Sequence, residues 1–130
     1  MSYSNKVTVF RGVRITEDLG IFNTRLTSFI RSNLNSQLVG SCAEYYELER
    51  NEVEYDDLWN FLVDGGHIVW NEHLDSYFIG EICYSTDDEN EWRDLGEWTN
   101  LTCDLGEVQE FIDKFYSRLP IKTFLIMWTD

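Results

Sequence analysis

Proline occurs once in this chain, at position 120, and there is no serine- or glycine-rich tract from which a linker could be made. The 130 residues therefore read as one domain around one core. Cysteine is scarce too. Cys42, Cys83 and Cys103 are odd in number and widely spaced, and no basic-then-apolar leader precedes them, which predicts free thiols in a reducing compartment, the cytoplasm. There is no CxxC pair, and His67 and His73 stand six residues apart, so the paired ligands of a zinc site are missing. Asp87, Asp88, Glu89, Asn90 and Glu91 offer oxygen ligands, but without the alternate spacing and sixth-position glycine of a calcium-binding loop. GxGxxG, P-loop and GxSxG sequences are absent, and apolar runs stay far below the ~20 residues of a membrane span. No metal, cofactor or membrane is expected.

Catalytic groups are equally thin. Cys103 precedes a helix start, which would favour a thiolate, but Asp104 and the surrounding carboxylates raise a thiol pKa. Twenty-four carboxylates will place some pairs close together by chance, and nothing singles out one pair as acid and base. A small enzyme would need His67, His73 or Cys103 gathered around a pocket; a non-enzymatic protein is the expectation.

Positive charge is what the middle of the chain lacks. Residues 1–38 hold five basic and two acidic groups (+3), residues 114–130 three basic and one acidic (+2), and residues 44–113 two basic against twenty-one acidic (−19), for a net −14. Self-repulsion of that size opposes compaction, so the carboxylates belong on a surface. A chain so short of cations has no basic face with which to grip phosphates, which argues against direct nucleic-acid binding. The rest of the composition, 43% hydrophobic and 15% aromatic, suffices for a core that offsets the entropy of ordering.

HIVWNE and SYFIGEICY, rich in β-branched and aromatic residues, flank the turn-forming NEHLDS and predict a hairpin over His67 to Tyr84. Val7, Val9, Val13 and Ile15 predict a first strand, with Gly12 as a bulge. Leu19, Phe22, Leu26, Phe29, Ile30 and Leu34 recur at three and four, predicting a helix over about Asp18 to Asn35 that Asn33, Asn35, Ser36 and Gly40 bring to an end. CAEYYELERNEVEYDD fits a strand about as well as a helical turn; a strand from about Cys42 to Arg50 is preferred, which would project Glu47 and Glu49 together at ~6.6 to 6.8 Å. A helix from about Asp56 to Asp64 follows, with Asp56 as its cap, and stops at Gly65-Gly66. Asp104 and Glu107 form a capping box for a helix carrying Val108, Phe111, Ile112, Phe115 and Leu119, ended by Pro120. Thr99 to Cys103 gives a short strand, and Ile121 to Trp128 a last one, interior to the sheet because Phe124 to Met127 is apolar without alternation. The fold class is α+β: one domain, a four- or five-stranded, mostly antiparallel sheet with two or three helices packed mainly on one face. A helical crossover from the hairpin to the last strand could add one parallel pair.

The carboxylates remain as the feature. Duplex DNA shows one phosphate charge per ~1.7 Å of axis, so a basic groove built for DNA would accept a protein displaying rows of acid. One row comprises Glu44, Glu47, Glu49, Glu52, Glu54, Asp56 and Asp57. The other comprises Asp87, Asp88, Glu89, Glu91, Asp94 and Glu97, and Glu107, Glu110 and Asp113 repeat at helical spacing. Trp92 and Trp98 either pin the second row to the core or stand out as apolar anchors of an interface. In size, acidity and poverty of cysteine the chain resembles phage-encoded inhibitors of host defence nucleases, including anti-restriction and anti-CRISPR DNA mimics, and also toxin immunity proteins; the likeness covers the whole chain and rests on no motif. It implies a basic nucleic-acid-binding protein as partner. The alternatives are an interaction or immunity module gripping through aromatic patches, and an acidic surface that serves solubility alone.

Overall fold

The computed structural model describes residues 5–71, 75–86 and 103–129. Four strands, β1 (Asn5–Ile15), β2 (Ile68–Asn71), β3 (Ser76–Thr86) and β4 (Lys122–Thr129), form one sheet in the order β2-β3-β1-β4. Every pairing is antiparallel. The hairpin forms where the β-branched runs place it, as β2 and β3. The fourth strand returns beside β1 as an antiparallel neighbour, so the anticipated parallel pair is not made among the described residues. Among the described residues it lies at the edge of the sheet rather than in its interior. Its unbroken apolar run reflects burial on both faces: Ile126 packs with Phe10 and Phe78 on one side, and Leu125 with Val7 and Val9 on the other.

Gly12 is not the bulge. The register shifts between Val9, opposite Tyr84, and Phe10, opposite Ile82, which leaves Cys83 of β3 as the extra residue. Gly12 instead faces Gly80 across the ladder, where a Cβ would stand 2.1 Å from the Ile79 carbonyl oxygen. The two glycines permit a close approach of β1 and β3 that any side chain would block.

Four helices occur among the described residues: α1 (Leu19–Ser32), α2 (Gln37–Tyr46), α3 (Tyr55–Asp64) and α4 (Val108–Phe115), with a 3-10 turn at Arg50–Glu52. Asp18 caps α1 by accepting from Ile21 N at 3.0 Å. Phe22, Leu26, Phe29 and Ile30 bury its apolar stripe. The predicted strand over Cys42 to Arg50 is a helix instead. Ser36 opens α2 by accepting from Val39 N at 3.2 Å, and Leu38, Val39, Cys42 and Ala43 turn one face to the core. Ser36 and Gly40, read as the end of the first helix, thus start and continue a second one. Helix α3 begins one residue early, at Tyr55, capped by Glu54 rather than Asp56, and ends at Gly65 with Gly66 in the left-handed region.

The fourth helix is shorter than its pattern. Its capping box is not made: Asp104 accepts from Gly106 N at 3.1 Å, and Glu107 is the N-cap residue without a side-chain cap bond. It ends at Phe115, well before Pro120, because buried Tyr116 leaves the helix to pack against Phe22 and Phe111 and leaves Leu119 exposed. Thr99 to Thr102 lie outside the described residues, and Cys103 belongs to no strand.

All four helices meet one face of the sheet. Phe22, Leu26, Phe29, Leu38, Leu58, Leu62, Phe111 and Ile112 pack with Val13, Ile15, Ile68 and Ile79 in a common core. Phe111 stands edge-on to Phe22 and Phe29 at 5.7 and 5.4 Å, and burying each such ring stabilises by about 1.5–3 kcal/mol. On the other face Phe10, Phe78 and Ile126 gather Val69, Ile82 and Phe124. No helix of the described residues is long and apolar enough to cross a membrane.

One expectation about cysteine is overturned. Cys83 and Cys103 form a disulfide with their Cα atoms 5.5 Å apart, and only Cys42 is a free thiol. Wide spacing concealed the pair, since the bulge in β3 and the chain entering α4 meet only in the folded molecule. The argument for a reducing compartment thereby loses two of its three thiols.

Candidate partner-binding surface

The first acidic row is built from a helix end, a turn and a helix start rather than from a strand. Glu44 lies in the last turn of α2, and Glu47 ends that helix with φ 56°, in the left-handed region. Glu52 accepts from Glu49 N at 3.0 Å across the 3-10 turn, and Asp57 accepts from Glu54 N at 3.0 Å at the head of α3. Several of these acids therefore have local work, holding backbone donors that a helix start leaves unpaired. The strand alternation that was to align Glu47 with Glu49 is not made. The turns nevertheless gather the seven into one stretch. Glu44, Glu47, Glu49, Glu52, Glu54 and Asp56 are exposed and Asp57 is half-buried.

The row's own arginine does not neutralise it. Arg50, the one lysine or arginine between residues 44 and 71, turns away and donates from Nη1 to the carbonyls of Leu34 and Ser36, both at 2.9 Å. Its guanidinium stands over Gly40, where a Cβ would lie 2.4 Å from Nη2. Among the described residues none of the seven carboxylates is in an ion pair.

The acids of α4 are less free. Glu107 accepts from Ser41 Oγ of α2 at 2.7 Å, and Asp113 from Gln109 Nε2 at 2.7 Å. Asp87, Asp88, Glu89, Glu91, Trp92, Asp94, Glu97 and Trp98, the second row with its two aromatic candidates, lie outside the described residues.

Two exposed aromatics, one of them inside the first row, are further candidates that the sequence reading passed over. Tyr45 is 62% exposed, with its ring 4.9 Å from Tyr46 and 5.6 Å from Phe61. Trp70 is 39% exposed and starts a file of rings inward, at 4.4 Å to Tyr77, 5.6 Å on to Trp59 and 5.7 Å on to Phe22. The available signal was Tyr45-Tyr46 set between Glu44 and Glu47, an aromatic pair inside an acidic run.

Arg25 of α1 is held in place. Its Nε and Nη2 donate to Glu17 at 2.9 and 3.1 Å, and the guanidinium lies 5.7 and 5.4 Å from the ring centroids of Phe115 and Tyr116. Tyr116 OH also donates to Glu17. Burial, and then that hydrogen bond, push the Tyr116 phenol well above its usual range. The cluster ties the β1–α1 connection to the end of α4.

A catalytic reading required His67, His73 or Cys103 around a pocket. Cys103 is in a disulfide and His73 is outside the described residues. His67 Nδ1 lies 3.0 Å from the Gly80 carbonyl oxygen and 3.1 Å from Glu81 Oε2, within its own hairpin. The free thiol of Cys42 is fully buried, and burial, with the nearby charge of Asp57, pushes it up to about 12. Among the described residues no group of three His, Cys, Asp or Glu side chains could hold a metal ion. Comparison with family models, with curated proteins and with solved structures finds no match.

Proposed function

We propose that this protein is a non-enzymatic acidic inhibitor that occupies the basic nucleic-acid-binding site of a partner protein, a nuclease or defence complex of the kind that phage-encoded anti-restriction and anti-CRISPR proteins block. The observation that supports it is the row from Glu44 to Asp57: seven carboxylates in one continuous stretch, six of them exposed, with Arg50, the only arginine within that stretch, committed to backbone carbonyls. Such a row presents to a positive groove what a phosphate backbone presents. Association is then driven by counterion release and accelerated by steering, and both fall with salt. The partner class makes the cytoplasm the site of action.

Capture of a basic nucleic-acid-binding protein on immobilised protein, with release by duplex DNA, tests the reading. Glu44, Glu47 and Asp56 make no side-chain cap bond, so changing all three to lysine should leave the fold intact and weaken capture at least tenfold. Unchanged capture by that variant, or a captured partner that duplex DNA does not compete for, would sink the reading.

A second reading has its own support in the exposure of Tyr45 and Trp70. In an interaction or immunity module these rings, not the carboxylates, would carry the affinity. The two separate in about 0.5 M salt, where a Debye length of roughly 4 Å leaves surface charge little reach. A ring-driven complex persists there, and a charge-driven one dissociates.

A further inference from the structure

We propose that the outer face of α2 and α3 reads arginine: Tyr45, set on Phe61 between carboxylates, takes a guanidinium of the partner on its ring in preference to a lysine ammonium. The inference deepens the acidic-inhibitor reading and rests on it, naming the side chain that the acidic surface selects.

Tyr45 is the most exposed large apolar side chain of the described residues, yet it is not loose. Edge-type contacts with Tyr46 and Phe61, at interplanar angles of 89° and 63°, fix its ring against the two helices. Asp57, Phe61 and Asp64 follow one another at four and three residues along α3 and so share one stripe of that helix, which places a carboxylate a turn to either side of the ring beneath Tyr45. Glu44 adjoins Tyr45 on α2. Burial, and then the charge of Asp64, raise the pKa of the Tyr46 phenol in the same cluster, which accords with carboxylates close by.

An aromatic face bordered by carboxylates discriminates between the two cations. The guanidinium is planar, so it lies on a ring while its N–H edges pair with carboxylates, whereas an ammonium acts as a strongly hydrated point charge. The molecule already contains this arrangement once, in Arg25 laid against Phe115 and Tyr116 and paired through two nitrogens with Glu17. Around Tyr45 the ring and the acids are present and, among the described residues, no guanidinium lies on the ring: Arg50 is turned to the carbonyls of Leu34 and Ser36. Charge complementarity therefore commits the face to a basic, arginine-bearing segment of the partner.

Titration of the full chain with hexa-arginine and hexa-lysine peptides, read by calorimetry at low salt, tests this. Hexa-arginine should bind about three- to fivefold tighter than hexa-lysine. Tyr45→Ala should abolish the difference while hexa-lysine binding changes little, and Tyr45→Phe, which keeps the ring, should retain it. Equal affinities in the unaltered protein, or a preference that survives in Tyr45→Ala, would overturn the inference. If both peptides bind equally and both weaken when Glu44, Glu47 and Asp56 become lysine, the arginine preference fails and the acidic surface stands. If neither peptide binds, both fail.

Discussion

Gly40 shows how one residue's neighbours can invert the usual meaning of its type. Glycine inside a helix is ordinarily a weakness of about 0.5–1 kcal/mol against alanine, and read alone it signals a helix end. Here it lies within α2, and what keeps the position bare is the Arg50 guanidinium reaching over it to the carbonyls of Leu34 and Ser36. Arg50→Ala should cost about 1–2 kcal/mol through those lost charge-assisted bonds. Gly40→Ala should cost about 1 kcal/mol in the natural background, because the guanidinium must move off its acceptors. In the Arg50→Ala background the same substitution should stabilise by about 0.5–1 kcal/mol, since only helix propensity then remains. Urea unfolding of the four proteins checks the reversal of sign. The same sign in both backgrounds would mean that Arg50 is not the reason for the glycine.

At the scale of elements, what could be read from the sequence follows from where the physics is local. The hairpin and helices α1, α3 and α4 were legible because their spacing and their breakers, such as Gly65-Gly66, act within a few residues. Helix α2 was not, because its stripe of Leu38, Val39, Cys42 and Ala43 includes small residues, its cap Ser36 sits among the ending signals of α1, and Gly40 looks like a terminator. That misreading moved the acidic site as well: the same residues face outward, but from a helix end and turns instead of a strand, and the ring of Tyr45 joins them. The antiparallel pairing of β4 with β1 and the Cys83–Cys103 bond were invisible for a different reason, since both depend on which distant segments meet. The bond joins the bulge of β3 to the entry of α4 across a sequence separation of 20. Closing a loop of that size limits the unfolded chain by about 3 kcal/mol. For a chain of this length, reduction should therefore lower the melting temperature by roughly 10–15 °C. Scanning calorimetry with and without a phosphine reductant, and of Cys83→Ser with Cys103→Ser, measures it. Coincident melting curves would show that the bond carries no such constraint.

For the molecule as a whole, the same excess of carboxylate should act with opposite signs on folding and on binding. A net charge of −14, with −19 between residues 44 and 113, repels itself in the compact state. The structure relieves little of this among the described residues, because Arg50 spends its hydrogen bonds on carbonyls and Arg25 on Glu17. Screening by salt should then stabilise the fold: raising sodium chloride from about 0.02 to 0.5 M shortens the Debye length from roughly 20 to 4 Å and should raise the melting temperature by several degrees. Over the same range a complex held by counterion release should weaken at least tenfold, with log K falling linearly in log salt. Melting curves and affinities measured in one salt series therefore distinguish what the surface does for the protein alone from what it does for a partner. A melting temperature that rises while affinity stays flat assigns the carboxylates no part in binding and leaves the exposed rings of Tyr45 and Trp70 to hold the complex.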